Sequence, residues 1–123
     1  MKRVLASDRW VLWPSRLESS GAVVKVKTQE STYRFVFAKG GIKVSGGKVG
    51  IKAIPAKIHG MQFLSCTLYM NRIKTGGHLE FNQHRTSMVK TITIECHERL
   101  LRRALGKWPD EVGGPSPSNP LQI

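Results

Sequence analysis

His78, Glu80, Asn82 and His84 recur at every second position, the spacing that lines up side chains on one face of a β-strand. Imidazole and carboxylate together could do general acid–base work, as in metal-independent cleavage of RNA, or hold a divalent ion. Strand geometry limits that chemistry. At about 3.3 Å rise per residue, His78 and His84 stand roughly 20 Å apart in a straight strand, too far to share one metal or one scissile phosphate. Only near neighbours such as His78 and Glu80, at roughly 7 Å, could converge, and they would need partners from elsewhere in the chain. The row is therefore expected to be the wet face of a strand. No catalytic residue, metal site or cofactor is assigned.

The stronger chemical signal is cationic. Lys43, Lys48 and Lys52 flank the turn Ser45-Gly46-Gly47-Lys48, and glycines at such a turn supply the positive φ of a two-residue hairpin. With Gly46 and Gly47 as the loop, Ser45 pairs with Lys48, Val44 with Val49, Lys43 with Gly50, Ile42 with Ile51 and Gly41 with Lys52. The apolar residues then share one face and the three lysines share the other. Arg34, Lys39, Arg72 and Lys74 lie in the same stretch, with Phe63 and Tyr69 on a side that otherwise reads polar. Ammonium and guanidinium groups neutralise phosphates and release counterions, and exposed aromatic rings give bases a stacking surface. A third cluster, Arg99, Arg102 and Arg103, lies opposite an apolar helical stripe. It suits bidentate phosphate contacts but equally suits the solvated side of a helix.

Net charge supports the cationic reading. The 123 residues contain 20 Lys and Arg against 8 Asp and Glu, a formal net charge of +12, and no acidic residue falls between Ser31 and Leu79. Solubility needs far less than this, with both signs mixed. A polyanion that neutralises the excess is the natural partner. Signatures of other chemistry are missing. The chain has no phosphate-cradling Gly-rich loop, no nucleophile elbow and no paired cysteines, and His97-Glu98-Arg99-Leu100-Leu101 lacks the second histidine of a zinc-protease helix. Cys66 and Cys96 sit in apolar runs and read as reduced, buried thiols. No membrane-length apolar run occurs, and Ser7-Asp8-Arg9 interrupts the leader-like first residues, so a cytoplasmic location is expected.

These side chains need a scaffold, and periodicity predicts mostly strands. Trp10–Trp13, stopped by Pro14, reads as an edge strand or docked arm, equally able to bury against a second copy of the chain. In 22–28, Val24 and Val26 alternate with Lys25 and Lys27; in 32–38, Tyr33, Phe35 and Phe37 alternate around Val36, a strand expected to be covered on both faces. Residues 55–60 read as a turn region, and 62–72 as one strand with Leu64, Cys66, Leu68 and Met70 on one face and Phe63 and Tyr69 on the other. A returning strand is expected over 78–84, and another over 88–96 with Ile92 and Ile94 inward. From His97 the period becomes helical through Leu100, Leu101, Ala104, Leu105 and Trp108, ended by Gly106 and Pro109.

The expected fold is α+β: an antiparallel meander, or a small bent sheet or barrel, of about six to seven strands with one C-terminal helix, a flat sandwich being the alternative. It spans 1–110 as one domain, with 111–123 a flexible Gly/Pro/Ser tail. The expected function is a non-enzymatic nucleic-acid-binding module for DNA or RNA, with no membrane association. The alternatives are a small interaction protein or inhibitor of the mobile-element type, docking on an acidic or nucleic-acid-binding surface, and a small nuclease using His78, Glu80 and His84.

Overall fold

A computed structural model describes residues 2–7, 9–63 and 67–108. The chain runs β1 (Lys2–Leu5), β2 (Trp10–Leu12), β3 (Val23–Thr28), β4 (Thr32–Ala38), β5 (Gly41–Gly46), β6 (Gly50–Pro55), β7 (Ile58–Gln62), β8 (Leu68–Met70), β9 (His78–Phe81), β10 (His84–Glu95), helix α1 (Glu98–Ala104) and β11 (Leu105–Lys107). Nine strands form one antiparallel sheet in the order β6-β5-β4-β3-β10-β9-β7-β8, with β1 also on β10; β2 and β11 pair separately. Strand β10 is the spine. Its second half pairs with β3 and β1 and its first half with β9, and the register shifts along it bend the sheet into a half-barrel.

Alternation in β3, β4 and β10 fills the concave side. Val24, Val26, Tyr33, Phe35, Phe37, Ile92 and Ile94 are all buried there, and Phe81 meets the rings of Tyr33 and Phe35 edge-on at 5.3 Å. Each such side chain contributes about 1.5–3 kcal/mol by leaving water. Leu101 and Ala104 of α1 and Val11 and Leu12 of β2 close the core. The opposite side of β4 is not covered, because Arg34 is exposed there and Val36 only half-buried.

The main-sheet architecture follows the expectation, but the strand count is higher and several boundaries move. Residues 62–72 are not one strand: Met61 pairs with Tyr69 and Gln62 with Leu68, so β7 and β8 form a hairpin, and β7 occupies much of the expected turn region. The faces are reversed as well, with Tyr69 beside buried Met61 and Met70 exposed. Gly60 makes the hairpin feasible, since a Cβ there would overlap the Tyr69 carbonyl.

The β5–β6 hairpin also departs from the two-glycine turn. Its register is Val44 with Ile54 and Gly46 with Gly50, around a 3-10 turn at Gly47–Val49. Tyr33 sets this geometry: its ring lies so close to Gly47 that a Cβ there would clash, and its hydroxyl accepts from the Lys48 N–H at 3.4 Å. Helix α1 stops at Ala104 because Leu105 turns to extended backbone and Leu105–Lys107 pairs with β2 instead. The expected tail 111–123, and Leu64 and Cys66, lie outside the described residues. Among the described residues no helix is long and apolar enough to cross a membrane.

Candidate nucleic-acid interface

Register determines which charges meet on the outer side of the sheet. Lys25 stands opposite Arg34, Lys27 opposite Thr32, Arg34 opposite Ser45 and Val36 opposite Lys43. Facing residues on adjacent antiparallel strands have Cβ atoms about 5 Å apart, and diagonal neighbours are about 7–8 Å apart. Lys27, Arg34 and Lys43 therefore form a diagonal across β3, β4 and β5, with Lys25 beside it. All four are exposed, and none makes an ion pair among the described residues. Glu95, on the same side of β10 and opposite Val23, is the nearest acidic position in this register. Two cations face to face with no carboxylate between them repel, a cost that a bound anion removes.

The lysines of the Gly-Gly ribbon do not stay together. Lys43 belongs to the outer array. Lys48 sits on the 3-10 turn and lines a cleft of about 440 Å³ with Glu30, Phe63, His78, Arg85, Thr86 and Ser87. Lys52 is exposed in the stretch of β6 between the Gly46–Gly50 and Val44–Ile54 pairs, where the register shifts, and no strand pairing sets it beside Lys43. Lys39 is exposed in the β4–β5 turn, its carbonyl accepting from Ser19 Oγ at 3.5 Å.

Arg72 and Lys74 are core cations. Arg72 is 5% exposed, with its guanidinium 4.6 Å from the Trp13 ring centroid and Nη1 donating to the Met70 carbonyl at 2.6 Å. Lys74 is 3% exposed, with Nζ 5.0 Å from Trp108 and 5.4 Å from Phe63. Phe63 and Tyr69 pack on each other and on Trp108 at centroid distances of 5.0–5.8 Å. These rings form a half-buried aromatic cluster around an internal ammonium, not an open platform.

The helix arginines form a separate region. Arg102 pairs with Glu98 at 3.0 Å, Arg103 accepts at its carbonyl from Arg16 Nη1, and Arg16, Arg102 and Arg103 line an open cleft with Ser15 and Leu105. Arg99 is exposed, and its N–H donates to His97 Nδ1, which caps the helix.

The row of histidines dissolves. Asn82, at φ 51, starts a tight turn, and His84 returns on β10 opposite Phe81 with its ring 5.3 Å from that of Phe81. Glu80 instead faces Arg85. His84 lines a different cleft with His59, and no group of three metal-ligating side chains gathers among the described residues. Partial burial pushes the Cys96 thiol up from its ordinary range.

Lys25 and Lys27 are members of the outer cationic array that the candidate site residues from sequence did not include. The signal was present: the alternation of β3 already put them on the outer face, and only the 29–31 turn length was needed to set them against β4. No protein-family model, curated protein or solved structure matches the chain.

Proposed function

We propose that the chain binds nucleic acid, with the outer face of β3, β4 and β5 lying along the phosphate backbone. The observation that carries this reading is the exposed array Lys25, Lys27, Arg34 and Lys43, in which like charges are neighbours and no carboxylate pairs with them among the described residues. A diagonal of cations suits a linear polyanion better than a single ion, because successive groups engage successive charges. The outer face supplies no exposed aromatic side chain on β3, β4 or β5, since Tyr33, Phe35 and Phe37 all point into the core. Recognition is therefore electrostatic and indifferent to base sequence.

Titration of labelled single- and double-stranded oligonucleotides over a salt series tests it. Four phosphate contacts give a slope of log K on log salt of about −3 to −4. The charge reversal Lys25→Glu with Arg34→Glu is expected to abolish measurable binding while leaving the far-ultraviolet circular dichroism unchanged. An affinity that does not respond to salt would refute the proposal.

A further inference from the structure

The cleft that receives Lys48 gathers residues from five segments distant in sequence: Glu30 from the β3–β4 turn, Lys48 from the β5–β6 turn, Phe63 after β7, His78 from β9, and Arg85, Thr86 and Ser87 from β10. Its volume of about 440 Å³ is within the range of small-ligand sites. Two backbone devices fix its walls. Glu30 N–H donates to Ser87 Oγ at 3.0 Å, tying the β3–β4 turn to β10, and His78 Nδ1 lies 2.9 Å from the Thr86 carbonyl. A carbonyl only accepts, so Nδ1 carries a proton and the imidazole is held in one orientation with Nε2 as its working nitrogen. Nε2 of His78, the Glu30 carboxylate and the Lys48 ammonium engage no partner among the described residues. Arg85 is anchored by a hydrogen bond from Nη2 to Gln62 Oε1.

We infer that this cleft cleaves RNA by metal-independent transesterification. One carboxylate, one imidazole and two cations are what that reaction requires. The Glu30 carboxylate takes the proton of a ribose 2′-hydroxyl, and the 2′-oxygen forms a bond to the adjacent phosphorus. The bond from phosphorus to the 5′-oxygen breaks, its electron pair staying on that oxygen, which takes the Nε2 proton of the imidazolium form of His78. Lys48 and Arg85 stabilise the extra negative charge on the phosphoryl oxygens. The products are a 2′,3′-cyclic phosphate and a 5′-hydroxyl; water returns a proton to His78 and removes one from Glu30. No metal or oxidant enters the balance.

The inference goes beyond binding but rests on it for strand capture. Glu30 follows Lys27 by three residues, so a strand lying on the outer diagonal reaches the cleft by crossing the turn after β3.

The test uses the full chain, with variants purified in parallel and chelator present, on a 5′-labelled single-stranded RNA. The expected result is cleavage to cyclic-phosphate ends, and none of the corresponding DNA. Loss of an acid or base by Glu30→Gln or His78→Gln is expected to slow cleavage by about 10²–10⁴-fold. Glu30 is on an exposed turn, so that variant retains the fold even if His78→Gln does not. His84→Ala, outside the cleft, keeps full activity. Binding of uncleavable 2′-O-methyl RNA separates the two readings. Parent protein that binds this RNA yet leaves the 2′-hydroxyl substrate intact, or activity that survives Glu30→Gln, overturns the cleft alone; absence of binding overturns both.

Discussion

Lys25 and Lys74 are the same residue type in opposite surroundings. Lys25 stands in water on the outer face, its nearest charged neighbour across the strand another cation, Arg34. Lys74 is enclosed between the rings of Phe63 and Trp108, and its companion Arg72 is stacked on Trp13, which also carries Arg16 at 5.1 Å on its ring. In the first region the charge stands in water and makes no ion pair among the described residues. In the second it is stabilised internally, so it serves the fold. A basic sequence does not separate these roles; burial and the nearest ring do.

The sharpest way to break that comparison is to truncate a cation from each region. Arg72→Ala removes a buried guanidinium, its hydrogen bond to the Met70 carbonyl and its packing on Trp13. A loss of about 2–4 kcal/mol is expected, read as a fall in Tm of 10 °C or more by thermal denaturation. Nucleic-acid affinity of the protein that remains folded should be unchanged. A variant with parental Tm but weakened binding would assign Arg72 to the interface instead.

The outer pair predicts the opposite sign. Lys25→Ala or Arg34→Ala removes one of two facing like charges, so stability should hold or rise by about 0.2–1 kcal/mol. The gain should be larger at low salt, where the repulsion is least screened. Each variant should also flatten the salt dependence of binding by about one contact. A fall in Tm comparable to that of Arg72→Ala would erase the distinction between the two regions.

How far the sequence announced this arrangement depends on how local the determining contact is. The alternation of β3 and β4, the inward Ile92 and Ile94 of β10 and the change to helical period at His97 were legible because each is a property of consecutive residues. The hairpin of β7 and β8 was not, because a strand of 62–72 and two strands folded on each other share nearly the same alternating pattern. What decides between them is Gly60 lying against the Tyr69 carbonyl, a contact between strands. The end of α1 was missed for the same reason: Leu105 and Trp108 satisfy a helical stripe, yet the unpaired backbone of β2 gives Leu105–Lys107 a better partner. The outer cationic face was half legible, since β3 displayed its lysines while the lysines of the glycine ribbon scattered. The cleft was not legible at all. Glu30, Lys48, His78 and Arg85 belong to separate turns and strands, and only the bend of β10 gathers them.

The smallest effect isolates the hairpin register, on which the face assigned to Lys43 depends. A two-residue Gly46-Gly47 turn would pair Ile51 with Ile42 on the apolar side, and Ile51→Asn would then cost as much as a core substitution. In the observed register Ile51 lies in the stretch of β6 between the Gly46–Gly50 and Val44–Ile54 pairs, and it is fully exposed at 101% of its reference area. A side chain that buries nothing on folding has no apolar contact to lose, so Ile51→Asn should shift stability by no more than about 0.5 kcal/mol in either direction. Ile54, opposite buried Val44 and packed against the core, should respond: Ile54→Ala gives up part of its transfer energy, about 1–2 kcal/mol for a half-buried residue. Chemical denaturation of the two variants side by side reads the difference. Equal costs would restore the two-glycine turn, return Lys52 to the side of Lys43, and remove the reason for excluding it from the outer array.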